Sequence, residues 1–205
     1  MQIPRYLLEG HKAYLKETQP KVQQRQEELL KKGQSPEVLW IGCSDSRVMP
    51  ETIVNSKPGD LFVVRNVGNM VHSYESGTNS VGAAIEFAVG SLGISHIIVC
   101  GHEDCGAMKA IQAGGVDANK TPSLANWIRT TIKDLGPTFT VASDLTELTK
   151  RNILLQIERL KHYPLISEAL AENKISLHGW YINIKNGYLE GYDPKKQSWG
   201  RLVDC

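Results

Sequence analysis

The chain has 205 residues, with 23 basic and 22 acidic side chains, a formal net charge of +1 and 41% apolar residues. That length fits one globular domain with a full hydrophobic core, and the even charge leaves no sign-dominated surface to hold nucleic acid or an anionic membrane. The 18 glycines and 9 prolines are scattered, which excludes collagen-like, low-complexity and disordered readings. Neither a signal-type leader nor an apolar run long enough to cross a bilayer is present, so the expectation is a cytoplasmic protein whose four cysteines stay reduced.

From Pro4 to Lys32 the sequence is rich in Lys, Glu, Gln and Leu, which predicts one or two polar helices stopped by Gly33. Such helices pack a thin apolar stripe either on their own domain or on a partner subunit. Val38-Leu39-Trp40-Ile41 then reads as a buried parallel strand ending in the loop at Gly42-Cys43. Asp60 to Asn66 predicts a second strand, Ser80 to Ser91 a covered helix, and His96 to Gly101 a third strand. Asp144-Leu145-Thr146-Glu147 resembles a capping box, and Ile153, Ile157 and Leu160 continue an amphipathic helix to about Pro164. A shorter helix, Leu165 to Asn173, precedes strands at Ile175 to Ile182 and Tyr188 to Tyr192, joined through the turn Lys185-Asn186-Gly187. Strands alternating with helices predict an α/β fold: a single domain with a mostly parallel central β-sheet, helices on both faces and an N-terminal helical arm.

Two loops carry the chemistry, each just beyond a predicted strand's carboxyl end, where open α/β sheets bind ligands. The first is Cys43-Ser44-Asp45-Ser46-Arg47; the second is His102-Glu103-Asp104-Cys105-Gly106, whose last residues turn into a helix from Ala107 to Ala113. A helix opening there would lower the Cys105 pKa and favour its thiolate. Two thiolates and one imidazole are what zinc prefers, and three protein ligands leave the fourth tetrahedral position for water or substrate. A lone H-x-x-C is weak evidence and a lone cysteine after a strand is usually a buried small residue. Cys, Asp and Arg at alternate positions after one strand, with His and Cys after another, are hard to obtain from core packing.

Cys43-x-Asp45-x-Arg47 with His102-x-x-Cys105 resembles the signature of the β-class carbonic anhydrases. Gly42 to Val48, Gly59 to Asn69, Cys100-Gly101-His102 and Leu177-His178-Gly179-Trp180 extend the likeness, which covers the chain from Gln34 to about Tyr192. The resemblance implies one zinc ion per chain held by Cys43, His102 and Cys105, with Asp45 and Arg47 as the catalytic pair beside it. Carbon dioxide would be hydrated reversibly to bicarbonate and a proton by zinc-bound hydroxide, with Asp45 accepting the hydroxide's hydrogen bond and Arg47 keeping Asp45 ionised. Some members have a closed state in which the aspartate is the fourth ligand, a role open to Asp45, and activity would then rise with pH.

Further positions follow from the same resemblance. Gln34 matches a glutamine donated across the dimer interface to the substrate, and Phe87 stands where a tyrosine is common, forming an apolar wall with Phe62 and Val67. Trp40 and Arg65 match two residues of a bicarbonate site; the third, a tyrosine, is replaced by Ile182, with Tyr181 facing the other side of the strand. Residues 1–33 would form a dimerisation arm and 34–205 the zinc-binding catalytic domain of a homodimer or homotetramer. Glu103 and Asp104 read as exposed loop carboxylates, and His72 is the only other histidine placed suggestively. Cys100 reads as structural, and Cys205 as a free thiol. Two rival readings are a carbonyl sulfide or carbon disulfide hydrolase on the same site, and a non-catalytic zinc or redox-sensing protein with a Cys43–Cys105 disulfide.

Overall fold

A computed structural model describes residues 3–77, 79–136 and 144–204; Cys205 lies outside them. The amino-terminal helices are α1 (Arg5–Ala13) and α2 (Gln19–Lys32), joined by one π-helical turn, Tyr14–Thr18. Gly33, at φ 81°, ends α2 as the sequence predicts. The strands are β1 (Val38–Cys43), β2 (Leu61–Asn66), β3 (His96–His102), β4 (Ser176–Ile182), β5 (Leu189–Asp193) and β6 (Ser198–Arg201). Between them lie α3 (Pro50–Ile53), α4 (Ser80–Glu86, continued by a π turn Phe87–Ser91), α5 (Gly106–Gln112), α6 (Pro122–Leu135), α7 (Leu145–Lys161) and α8 (Pro164–Ala171).

The sheet order is β2-β1-β3-β4-β5-β6, parallel from β2 through β4 and antiparallel across β4–β5–β6. Each interior strand divides its side chains between two faces with the period of two that extended chain imposes. Leu39, Ile41, Ile97, Val99 and Tyr181 point to one face, under α4, α7 and α8. Trp40, Ile98, Cys100 and Ile182 point to the other, where Val48 and α3 cover them. Helices thus flank the sheet as expected, the second face carrying the short α3 among the described residues. Helices α5, α6 and α7 instead gather round a third cluster containing Cys43, Cys105 and Met70.

Two glycines set how closely α7 lies on the sheet. A Cβ on Gly101 would sit 2.8 Å from Ile153 Cδ1, and one on Gly179 would sit 3.0 Å from Ile157 Cδ1. Helix α7 starts where the sequence indicates, with the Asp144 carboxylate accepting from the amides of Thr146 and Glu147 at 3.0 and 3.3 Å. The chain from β1 leads to β2 on one side, and that from β3 leads to β4 on the other. The carboxyl ends of β1 and β3 thus flank the switch point of the sheet, where its loops open a crevice.

Candidate metal centre

Cys43 is the last residue of β1 and His102 the last of β3, and these strands are paired neighbours. Cys105 stands at the N-cap position of α5. Parallel pairing therefore brings together three residues from loops far apart in sequence. Their ligand atoms lie within 4.8 Å of one another, and all three residues are buried. Cys43, Cys100 and Cys105 are free thiols in this structure.

The donor chemistry suits zinc. His102 Nδ1 lies 2.8 Å from the carbonyl of Glu103, which can only accept, so Nδ1 carries the proton and Nε2 presents its lone pair. That Nε2 is buried with no hydrogen-bond partner, a costly state for a polar atom unless a cation takes the lone pair. The hydrogen bond from Cys105 holds Cys43 well below the ordinary thiol range against the effect of burial. The same shared proton, together with burial, pushes Cys105 up. The amides of Ala107 and Met108 at the start of α5 act on Cys105 in the lowering direction that the helix start predicts, against burial and the proton shared with Cys43.

Asp45 and Arg47 form a fork. Arg47 Nε and Nη2 donate to the two carboxylate oxygens at 2.9 and 2.8 Å, and the Arg47 amide adds a third bond at 3.0 Å. This arginine holds the Asp45 carboxyl well below the usual carboxylate range, against burial. Asp45 Oδ2 is 3.8 Å from His102 Nε2, so the carboxylate borders the point where the donors converge while staying turned to Arg47. Arg47 also donates to Asp104 Oδ2 at 3.0 Å and to the Asp104 carbonyl at 3.1 Å, and Lys109 Nζ meets Asp104 Oδ1 at 2.5 Å. Asp104, exposed as the sequence indicates, also ties the two loops together. Glu103 is engaged too, accepting the Lys185 amide of the β4–β5 turn at 3.0 Å.

Arg65 braces the first loop from below. Its Nε and Nη2 donate to the carbonyls of Cys43 and Asp45 at 2.9 and 2.7 Å. Trp40 is fully buried, with its indole nitrogen unpartnered and its ring edge-on to Trp180. Ile182 packs in the same cluster as Trp40 and offers no donor, and Tyr181 lies on the opposite face. Gln34 is exposed beyond the end of α2, away from any bond to the centre of its own chain. Phe87, 45% exposed, packs 5.9 Å from Phe62, and the Val67 carbonyl accepts from Trp127 Nε1 at 2.7 Å. His72 packs against Trp127 at 4.3 Å, its Nε2 buried and its pKa lowered by burial and by Arg159. Cys100 is buried and its thiol pushed up by burial alone.

A mostly parallel α/β sheet whose switch point carries two sulfurs, one imidazole and an arginine-clamped aspartate defines a metal-dependent enzyme class. The family model described as carbonic anhydrase matches residues 38–189. A carbonic anhydrase of Pseudomonas aeruginosa is 36% identical over 176 residues, 83% of this chain and 80% of that one. A carbonic anhydrase of Synechocystis is 40% identical over 173 residues, 81% of this chain but 63% of that one, so the chain spans less than two thirds of that relative. Among solved structures, the β-carbonic anhydrase CcaA superposes with a TM-score of 0.89 at 36% identity, covering 96% of this chain and 98% of that one. A tetrameric β-carbonic anhydrase of Sordaria macrospora gives 0.77 at 30% identity, covering 91% and 95%. The chain belongs to the β-carbonic anhydrase family, whose members are zinc-using carbonate dehydratases.

Proposed function

We propose that this chain hydrates carbon dioxide reversibly to bicarbonate and a proton, with Cys43, His102 and Cys105 holding one zinc ion per chain. The observation that carries the reading is the convergence of three buried donor atoms within 4.8 Å beside a carboxylate fixed by an arginine fork. Zinc held there supplies the Lewis acidity that lets water attack carbon dioxide near neutral pH. As an ionised carboxylate Asp45 can only accept, so it takes the hydrogen bond of a water or bicarbonate hydroxyl at the centre and sets its direction. Arg47 keeps both Asp45 oxygens in place, and Arg65 fixes the backbone from which Cys43 and Asp45 project.

Gln34, exposed on its own chain, would serve the substrate pocket of a neighbouring subunit, and Phe87 with Phe62 would give that pocket an apolar wall for a nonpolar gas. The reading includes self-association through residues 1–33, with 34–205 as the catalytic unit; the Sordaria relative is described as tetrameric. Among the described residues no helix is long and apolar enough to cross a membrane. A cytoplasmic setting agrees with thiolate ligands, which need reducing surroundings. The test measures metal content and stopped-flow hydration on one sample. About one zinc per chain and a hydration rate rising from about pH 6.5 to 9 are expected. A metal-free active protein, or hydrolysis of carbonyl sulfide without carbon dioxide hydration, would overturn it.

A further inference from the structure

One face of α7 carries Asn152, Gln156 and Arg159, three polar side chains with relative exposures of 0%, 0% and 7%. Polar groups are buried at such cost only where each is bonded, and these are bonded in a directed series. Arg159 Nη2 donates to Asp134 at 2.7 Å, and its Nη1 donates to Gln156 Oε1 and Thr131 Oγ1 at 3.1 Å and to the Val71 carbonyl at 2.9 Å. Gln156 Nε2 donates to Asn152 Oδ1 at 2.8 Å, and Asn152 Nδ2 donates to the Gly68 carbonyl at 3.1 Å. Gln156 Oε1 also accepts the Val71 amide at 2.8 Å. The ladder thus grips three main-chain groups of the short segment that follows β2.

The far end of that segment touches the metal centre. Gly68 has φ 79°, and a Cβ there would lie 2.9 Å from Ala107 Cβ and 3.0 Å from Met70 Cε, so its bare backbone is wedged against the first turn of α5. Ala107 lies two residues past Cys105, which stands at the N-cap of α5. Asn66 closes the segment from the other side, bonding both the amide and the carbonyl of Met70 at 2.7 and 2.9 Å.

We propose that Asn152, Gln156 and Arg159 are positioning residues of the metal centre, holding Gly68 against the first turn of α5 and so fixing the direction of Cys105 at its N-cap. The proposal rests on the reading of Cys105 as a zinc ligand. A fixed helix start keeps the sulfur lone pair that binds metal in one direction; loss of such support typically costs about 10–100-fold in metal affinity.

The test uses the zinc-loaded and the cobalt-substituted full chain with Asn152→Ala and Gln156→Glu. Gln156→Glu keeps the side chain's size and sets a carboxylate beside Arg159, so it remains compatible with folding while losing the donor to Asn152. If Asn152→Ala does not fold, Gln156→Glu alone decides. Expected are zinc release to excess chelator faster by about tenfold, a moved thiolate-to-cobalt charge-transfer absorption, and far-UV circular dichroism like the parent's. Ile166→Val, a core change of similar modest cost outside the ladder, should leave both metal readouts at parent values. Folded ladder variants with parent release rates and absorption would overturn the proposal, as would Ile166→Val moving both readouts equally. A parent that binds neither metal would instead sink the ligand assignment, so the two failures are distinguishable.

Discussion

The carboxyl edge of the sheet and the amino-terminal helices are built on opposite plans. At the sheet edge Cys43, His102 and Cys105 are at most 6% exposed, and the side chains around them are bonded to their own backbone. Helices α1 and α2 bury no residue at all, and Tyr6, Leu7 and Leu8 are 70%, 51% and 52% exposed. Their ties to the domain run through Arg25, which bonds Asp60 and the Pro58 carbonyl, and through Leu29 against Gly59. The difference teaches that one chain gathers the three donor residues within its own core, whereas its arm leaves apolar side chains exposed, which the proposed self-association would cover.

The comparison breaks first at the metal. Cys105→Ser removes one of two sulfur donors, and both zinc and hydration activity should fall below detection in metal analysis and stopped-flow assays. Arg47→Lys should retain zinc but lower hydration by about 10–100-fold, because an ammonium cannot hold both Asp45 oxygens in a fork. Retained activity in either variant would show that the sheet edge is not the centre described.

Two milder changes sharpen the contrast. Gly101→Ala places a methyl group 2.8–2.9 Å from Ile153 and Thr149 side-chain carbons, and overpacking of this kind costs about 1–3 kcal/mol in denaturant unfolding. Leu7→Glu with Leu8→Glu should change the intrinsic stability of the domain by no more than about 0.5 kcal/mol while lowering the apparent mass in sedimentation. An unchanged mass would mean that the arm's apolar face is not an interface.

The same division governs how much was legible in the sequence. The apolar runs of β1 and β3, the stop at Gly33 and the cap at Asp144 are local signals, and the structure contains each of those elements. The alternation of Cys43, Asp45 and Arg47 and the H-x-x-C of the second loop were equally plain, being residues whose chemistry exceeds what packing needs. What stayed hidden depends on long-range pairing. Asp104 reaches Arg47 only because β1 and β3 lie side by side, and Arg65 meets Cys43 only through the β1–β2 register. Asn152, Gln156 and Arg159 are polar residues between the apolar positions of α7, and only the tertiary fold shows that loop 67–71 and α6 cover them. Helix α6 had a signal that went unused: Pro122 in its first turn and Leu124, Ile128 and Ile132 at helical spacing. Strand β6, four residues with three exposed, carries no pattern of its own.

The smallest expected effect lies at the opposite, amino end of the sheet, where His96 Nδ1 and His178 Nε2 meet at 3.2 Å. Burial first, and then the neighbouring His96, lower the His178 pKa from its ordinary 6.5. The folded state therefore binds this proton less readily than the unfolded chain does, and stability must fall as pH drops through the ordinary imidazole value toward the lowered one. Asp193 and Lys196 line the groove beside His178. Denaturant midpoints compared at about pH 7.5 and about pH 5.5 should show a loss for the parent and a smaller loss for His178→Asn, which has nothing to protonate. Equal losses in the two proteins would assign the acid sensitivity to other groups and leave the amino end of the sheet indifferent to pH.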